Sequence, residues 1–156
     1  MRACCSVLTV VLVQAVALVR ERGLLDRVGL HLNLTEGRPV HPDSESSSLV
    51  ISGQRMGGDA QPSSFLGKTD FADACFRGAI QPQDVVHEAR AQLAWFRARF
   101  GRAPRHVDGH QHCHIWPATR GVLAALFAAE GVEQTRVPEA RIRTNSHTTC
   151  PNMPRT

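Results

Sequence analysis

The sequence predicts an α/β domain in which βαβ units wind around a parallel sheet, and three observations carry that expectation. Short apolar stretches with a two-residue period alternate with longer stretches of helical period. The helical stretches have proline at their starts and glycine just past their ends. Histidines gather where two of the strand-like stretches stop, and in parallel sheets ligands collect at the carboxyl ends of the strands. With 156 residues and 42% hydrophobic content the chain can bury one core, and nothing suggests a second.

The elements follow in order. Met1-Arg2 and the apolar run to Val19 imitate a signal peptide, but Gln14 interrupts the run and no small-x-small cleavage site precedes Arg20. A membrane span would need about 20 uninterrupted apolar residues. The run therefore reads as a buried strand, Ser6 to Val13, leading into a helix with Ala15, Val16, Leu18 and Val19. Arg20-Glu21-Arg22-Gly23 ends that helix, with basic residues in its last turn and a glycine suited to the left-handed conformation. Val28 to Leu34 alternates as a strand with His31 and Asn33 on one face, closed by the turn formers Thr35 to Pro39. Residues His41 to Ser64, rich in Ser, Gly, Asp and Pro without periodicity, predict a long surface loop. Pro82 opens a helix whose stripe is Val85, Ala89, Leu93, Phe96 and Phe100, stopped by Gly101, with Arg90, Arg97 and Arg99 on its wet side. Pro117 opens another, with Val122, Leu123, Leu126 and Phe127 as its stripe and Gly131 as its stop, and Gln134 to Val137 is a further strand.

Composition removes several function classes. The net charge of +4 comes from 17 arginines and one lysine scattered along the chain, without the basic stripe and aromatic readers that nucleic-acid binding requires. No membrane partner is expected. Five cysteines, Cys4, Cys5, Cys75, Cys113 and Cys150, share no repeated spacing and read as reduced thiols of an intracellular protein. The expected location is the cytoplasm, with secretion left open by the first nineteen residues.

The segment His106-Val107-Asp108-Gly109-His110-Gln111-His112-Cys113-His114 holds half of the eight histidines and a carboxylate. As a continuous strand it would align His106, Asp108, His110, His112 and His114 on one side. Neutral imidazoles from two strand ends plus one aspartate would give a divalent ion a facial ligand set with an open side. The reaction class that suits such a site is metal-assisted hydrolysis. Asp108 could serve as ligand, as base, or as the carboxylate that fixes a histidine tautomer. His41, His87 and His147 sit in loop or helix-surface contexts and read as solvated. Asn33-Leu34-Thr35 matches a glycosylation sequon at the end of a buried strand.

Val28-Gly29-Leu30-His31-Leu32-Asn33-Leu34-Thr35-Glu36-Gly37-Arg38-Pro39 and the histidine run together resemble the YdjC-like carbohydrate deacetylase family, which includes chitooligosaccharide deacetylases. Phe65-Leu66-Gly67-Lys68, Gln92, Phe100-Gly101-Arg102-Ala103-Pro104 and Thr135-Arg136-Val137-Pro138 add to the likeness, which covers roughly residues 14–139. The resemblance implies a partial (β/α) barrel of the polysaccharide-deacetylase type and removal of acetyl groups from N-acetylated sugars. It further implies a divalent ion, Mg²⁺ with Zn²⁺ as the alternative, held by His31 and His110. Asp108, His112 and His114 would touch substrate or brace the ligands.

The family also begins with a strand ending in Asp-Asp-Phe-Gly, which supplies the catalytic carboxylate and a third ligand, and that motif is absent from these residues. The resemblance thus predicts a barrel lacking its first strand and C-terminal units, with residues 1–141 as the partial domain and 142–156 as a disordered tail. The catalytic group is then unassigned, with Asp108 as the candidate substitute for the missing aspartate. The alternative is an inactive remnant that binds sugar, metal or a partner chain, and exposed strand edges would favour association with a second copy.

Overall fold

The hydrophobic pattern is realised in a computed structural model that describes residues 14–42, 46–51, 55–56, 59–60 and 63–136. The expected strand at Ser6 to Val13, the tail 142–156 and His147 lie outside those residues. Residues 14–21 form a helix, α1. It closes as anticipated, with Gly23 at φ +63°, its N–H on the Arg20 carbonyl at 3.1 Å and the Leu24 N–H on the Val19 carbonyl at 2.9 Å. After a single 3₁₀ turn at Leu25–Arg27 comes strand β1, Leu30–Leu32.

That strand is shorter than its alternation suggested, because Asn33 turns the chain. Its side-chain oxygen accepts the backbone N–H groups of Thr35 at 3.0 Å and Glu36 at 3.1 Å, and its amide donates to the Glu36 carbonyl at 2.6 Å. A short polar side chain bonding its own following backbone offers an alternative to the sheet ladder.

The expected loop from His41 to Ser64 is not structureless. It contributes β2, Val50–Ile51, and β3, Arg55–Met56. It also contributes β4, Asp59–Ala60, and the start of β5, Ser64–Phe65. These form two small antiparallel pairs, β2 with β5 and β3 with β4. Leu49 and Phe65 anchor the excursion in the core, and Ser48 is held by Asp84, whose carboxylate accepts its N–H and its hydroxyl, both at 2.7 Å. Such two-residue ladders carry too little periodicity to be read from sequence.

Helix α2, Lys68–Phe76, was not anticipated either; only Phe71, Ala74 and Cys75 are buried on it. Helix α3, Pro82–Phe100, follows its predicted bounds, with Val85, Ala89, Leu93 and Phe96 buried and Gly101 at φ +75°. Arg97 is half-exposed and pairs with Glu130 at 2.5 Å. Strand β6 is His106–Gly109, helix α4 is Pro117–Ala129 and strand β7 is Gln134–Thr135. Val137 lies outside the described residues.

The sheet runs β1-β6-β7 and both pairings are parallel, so the mixed α/β class is observed. Leu30, Leu32 and Val107 join Leu93, Phe96, Leu123 and Phe127 in one buried cluster, each such side chain contributing about 1.5–3 kcal/mol by leaving water. Alternation puts His31, His106 and Asp108 on the opposite face, less buried than their neighbours. Among the described residues, no helix is long and apolar enough to cross a membrane.

Candidate functional site

Parallel pairing places His31 beside Asp108 and Leu32 beside Gly109, so the two strand ends reach the same level. The loop after β1 is then fixed from below by α3. Gln92 accepts the Asn33 N–H at 3.0 Å and donates to the Asn33 carbonyl at 2.6 Å, while also donating to Glu88 at 2.7 Å. Glu88, only 2% exposed, accepts the backbone N–H groups of Val40 at 3.0 Å and His41 at 2.9 Å. This satisfied buried network and the Asn33 turn together set where Glu36 stands.

The histidine run does not continue as a strand. After Gly109 it folds into a 3₁₀ turn, His110–His112, with Gln111 at φ +50° and His112 at φ +59°. Two consecutive side-chain-bearing residues in the left-handed region are unusual. The expectation that five polar residues share one face therefore holds only through Asp108.

His110 is delivered to the site. Its Nδ1 lies 3.2 Å from His31 Nε2, the rings meeting nearly at right angles, and its Nε2 lies 3.2 Å from Glu36 Oε2. Gln111 donates its amide to the other oxygen, Oε1, of Glu36. A carboxylate only accepts, so Nε2 of His110 carries a proton, and in the neutral ring Nδ1 is the lone-pair nitrogen that faces His31. Hydrogen bonds from His110, and next from Gln111, hold the Glu36 carboxyl below the usual range and keep it ionised.

The other members of the run go elsewhere. His114 is buried at 5% exposure and its Nε2 donates to the Arg136 carbonyl at 2.6 Å. His106 packs against Gly29, where a Cβ would collide with the ring. His112 is exposed, and the Asp108 side chain makes no hydrogen bond or ion pair among the described residues. Cys113, fully buried, places its Sγ 3.4 Å from the Leu32 carbonyl, and burial pushes its thiol up to about 12. Cys75 is also buried and its thiol is pushed up to about 11. Neither is a nucleophile near neutral pH. Away from the site, His41 is half-buried rather than solvated and stacks on exposed His87 at 5.5 Å.

Two nitrogens bound to one ion at about 2.0–2.1 Å stand roughly 2.9–3.4 Å apart, depending on the angle between the bonds. The 3.2 Å separation of His31 and His110 falls in that interval, and the Glu36–His110 contact has the arrangement of a carboxylate that orients a ligating imidazole. Two donors are not a complete set. Among the described residues, no three of His, Cys, Asp and Glu converge as a metal cluster.

Glu36 and Gln111 were not singled out from the sequence. Thr35-Glu36-Gly37 reads as turn chemistry, and the available signal was that an Asx turn after a strand-end histidine brings a nearby carboxylate back over it.

A family profile described as YdjC-like protein matches residues 3–155. The carbohydrate deacetylase of Mus musculus is 42% identical over 113 residues, covering 72% of this chain and 34% of the relative. That of Homo sapiens is likewise 42% identical over 113 residues, covering 72% and 32%. The chitooligosaccharide deacetylase of Enterobacter sp. (strain 638) is 35% identical over 118 residues, covering 76% and 40%. The chain thus spans about a third of the length of the mammalian relatives it matches.

Proposed function

This chain belongs to the YdjC-like family, and on that premise we propose that it acts as a metal-dependent hydrolase of the carbohydrate deacetylase class, cleaving the acetamide of N-acetylated sugars. The observation that carries the reading is the 3.2 Å approach of His31 Nε2 to His110 Nδ1 at the ends of two adjacent parallel strands. The sheet, with its apolar side chains turned to the helices and its polar side chains opposite, supports a (β/α) barrel of the deacetylase type.

His31 and His110 would hold the ion, and Glu36 would keep His110 in the ligating tautomer. When bound, a divalent ion polarises the acetamide carbonyl and lowers the pKa of water. Imidazole donors suit Zn²⁺, and a carboxylate and water would suit Mg²⁺. Asp108, beside His31 on the same sheet face, would take the proton from the attacking water and return it to the amine. The C–N bond breaks and acetate leaves.

A second reading, a non-catalytic binder of sugar or metal, is favoured by one observation: no three ligating side chains converge among the described residues. The deciding experiment is acetate release from N-acetylglucosamine oligomers by the purified chain with Mg²⁺ or Zn²⁺, with His110→Ala as control. Release that disappears in the variant supports the hydrolase. A folded, metal-loaded chain that releases no acetate supports the binder, and release that survives His110→Ala overturns the ligand assignment.

A further inference from the structure

Beside the His31–His110–Glu36 group lies a cavity of about 510 Å³ lined by Lys68, Gln111, His112, Ile115, Trp116 and Pro117. Its size is that of small-molecule sites. A smaller cavity of about 30 Å³, near His41 and His87, has room for little more than water. The larger one is continuous with the candidate site through Gln111, which lines it while donating to Glu36.

Its walls differ in character. Ile115, Trp116 and Pro117 give an apolar side, and Phe76 meets the Trp116 ring at 5.4 Å and 88°, bracing an indole that stays half-exposed. Lys68, Gln111 and His112 give a hydrogen-bonding side. The Gln111 amide nitrogen faces the acceptor-only carboxylate of Glu36, and its Oε1 is enclosed away from solvent rather than presented to the cavity. The left-handed backbone of Gln111 and His112 brings both residues to the cavity wall, and such conformations cluster at functional sites.

An aromatic plane opposite hydrogen-bonding side chains suits a ring with one apolar face and a polar rim. We propose that this cavity is a subsite for one pyranose ring of an N-acetylated sugar, with Trp116 as its stacking platform and the exposed Lys68 and His112 as its polar contacts. The proposal rests on the carbohydrate deacetylase reading for its ligand class and adds residues that position the sugar next to His110.

Trp116 shares the chain with only one other tryptophan, Trp95, which sits under the Arg99 guanidinium at 4.2 Å on α3. Trp95→Phe therefore makes Trp116 the sole reporter in the full chain. Titration with N,N′,N″-triacetylchitotriose should give a saturable change in its emission, and glucosamine oligomers without acetyl groups should bind more weakly. By calorimetry, Trp116→Ala should raise the Kd about tenfold, as loss of an aromatic stack does. Trp116→Phe should stay within about threefold of the parent and guards against misfolding, and exposed His112→Ala should weaken binding about fivefold. Trisaccharide binding that leaves Trp116 emission unmoved, or no binding at all, overturns the subsite. Acetate release with a silent Trp116 would remove the subsite and leave the hydrolase. A Trp116 response without acetate release would do the reverse.

Discussion

His110 and His114 stand four residues apart in one run and are put to opposite uses. His114 is inside, its Nε2 donating to a backbone carbonyl and its Nδ1 enclosed without a partner. His110 remains half-exposed, with one ring nitrogen toward His31 and the other toward Glu36. The difference is made between them, where Gln111 and His112 take positive φ and turn the chain. A histidine-rich run is therefore not one array of ligands. Its backbone turns His114 into packing and leaves His110 beside His31 and Glu36, where the proposed chemistry would lie, and each half should fail differently when perturbed.

The packing half should show the largest effect, in alkali. Burial raises the Cys113 thiol from 9.0 to about 12. A raised folded-state value means that its stabilisation is complete below about pH 9 and is lost as pH rises toward 12. A rise of that size corresponds to about 4 kcal/mol, with roughly half gone by pH 10.5. The chain has no tyrosine and one lysine, so few other groups confuse that window, although Cys75 adds to the loss in the same direction, being raised to about 11. Urea midpoints at pH 8 and 10.5 check this, and Cys113→Ala should about halve the difference, the remainder belonging to Cys75. A wild-type midpoint unchanged over that interval would place the thiol in contact with water.

Next comes Gly109→Ala. A Cβ there would strike the His114 ring and backbone, and the ring cannot retreat without breaking its bond to Arg136. A loss of about 3 kcal/mol is expected in urea unfolding. An unchanged midpoint would mean that His114 is free to move, which would erase the distinction between the two halves.

Those two sites show what was legible in sequence. Helices α3 and α4 were, because proline, glycine and a 3.6-residue stripe agree with one another over many residues. The parallel order of β1, β6 and β7 followed from those helices. Helix α2 and the two-residue ladders were not, since they bury too few side chains to impose a period. The approach of His31 to His110 was implied by strand ends at one level. The diversion of His112 and His114 was hidden, because alternation assumes a strand, and nothing in the residue types of Gln111 and His112 announces a left-handed turn.

The chemical half should lose function with little loss of stability. His110→Ala should lower Zn²⁺ affinity by at least about 100-fold, because a ligand is removed outright. Glu36→Gln should cost about 10- to 100-fold, the usual consequence of removing a carboxylate that orients a ligating histidine. Calorimetric titration of the apo chain checks both, with urea midpoints expected within about 0.5 kcal/mol for these exposed positions. Equal affinity in Glu36→Gln would show that His110 needs no orienting partner. A large stability loss in His110→Ala would instead assign that histidine to the packing half.

The smallest effect tests the turn itself. His112 at φ +59° is exposed and its side chain makes no hydrogen bond among the described residues, so the fold gains little from its imidazole while bearing the cost of the left-handed backbone. Glycine adopts that backbone without a Cβ penalty. His112→Gly should therefore raise stability, by about 0.5–1 kcal/mol once glycine's greater unfolded-state freedom is set against the relieved strain. It should leave Zn²⁺ affinity unchanged, since His31, Glu36 and His110 are untouched. A gain in stability with a loss of trisaccharide binding well beyond the roughly fivefold expected of His112→Ala would mean that the strain is kept for the ligand. No gain would mean that contacts of His112 offset it, and the turn would then belong to packing on both sides.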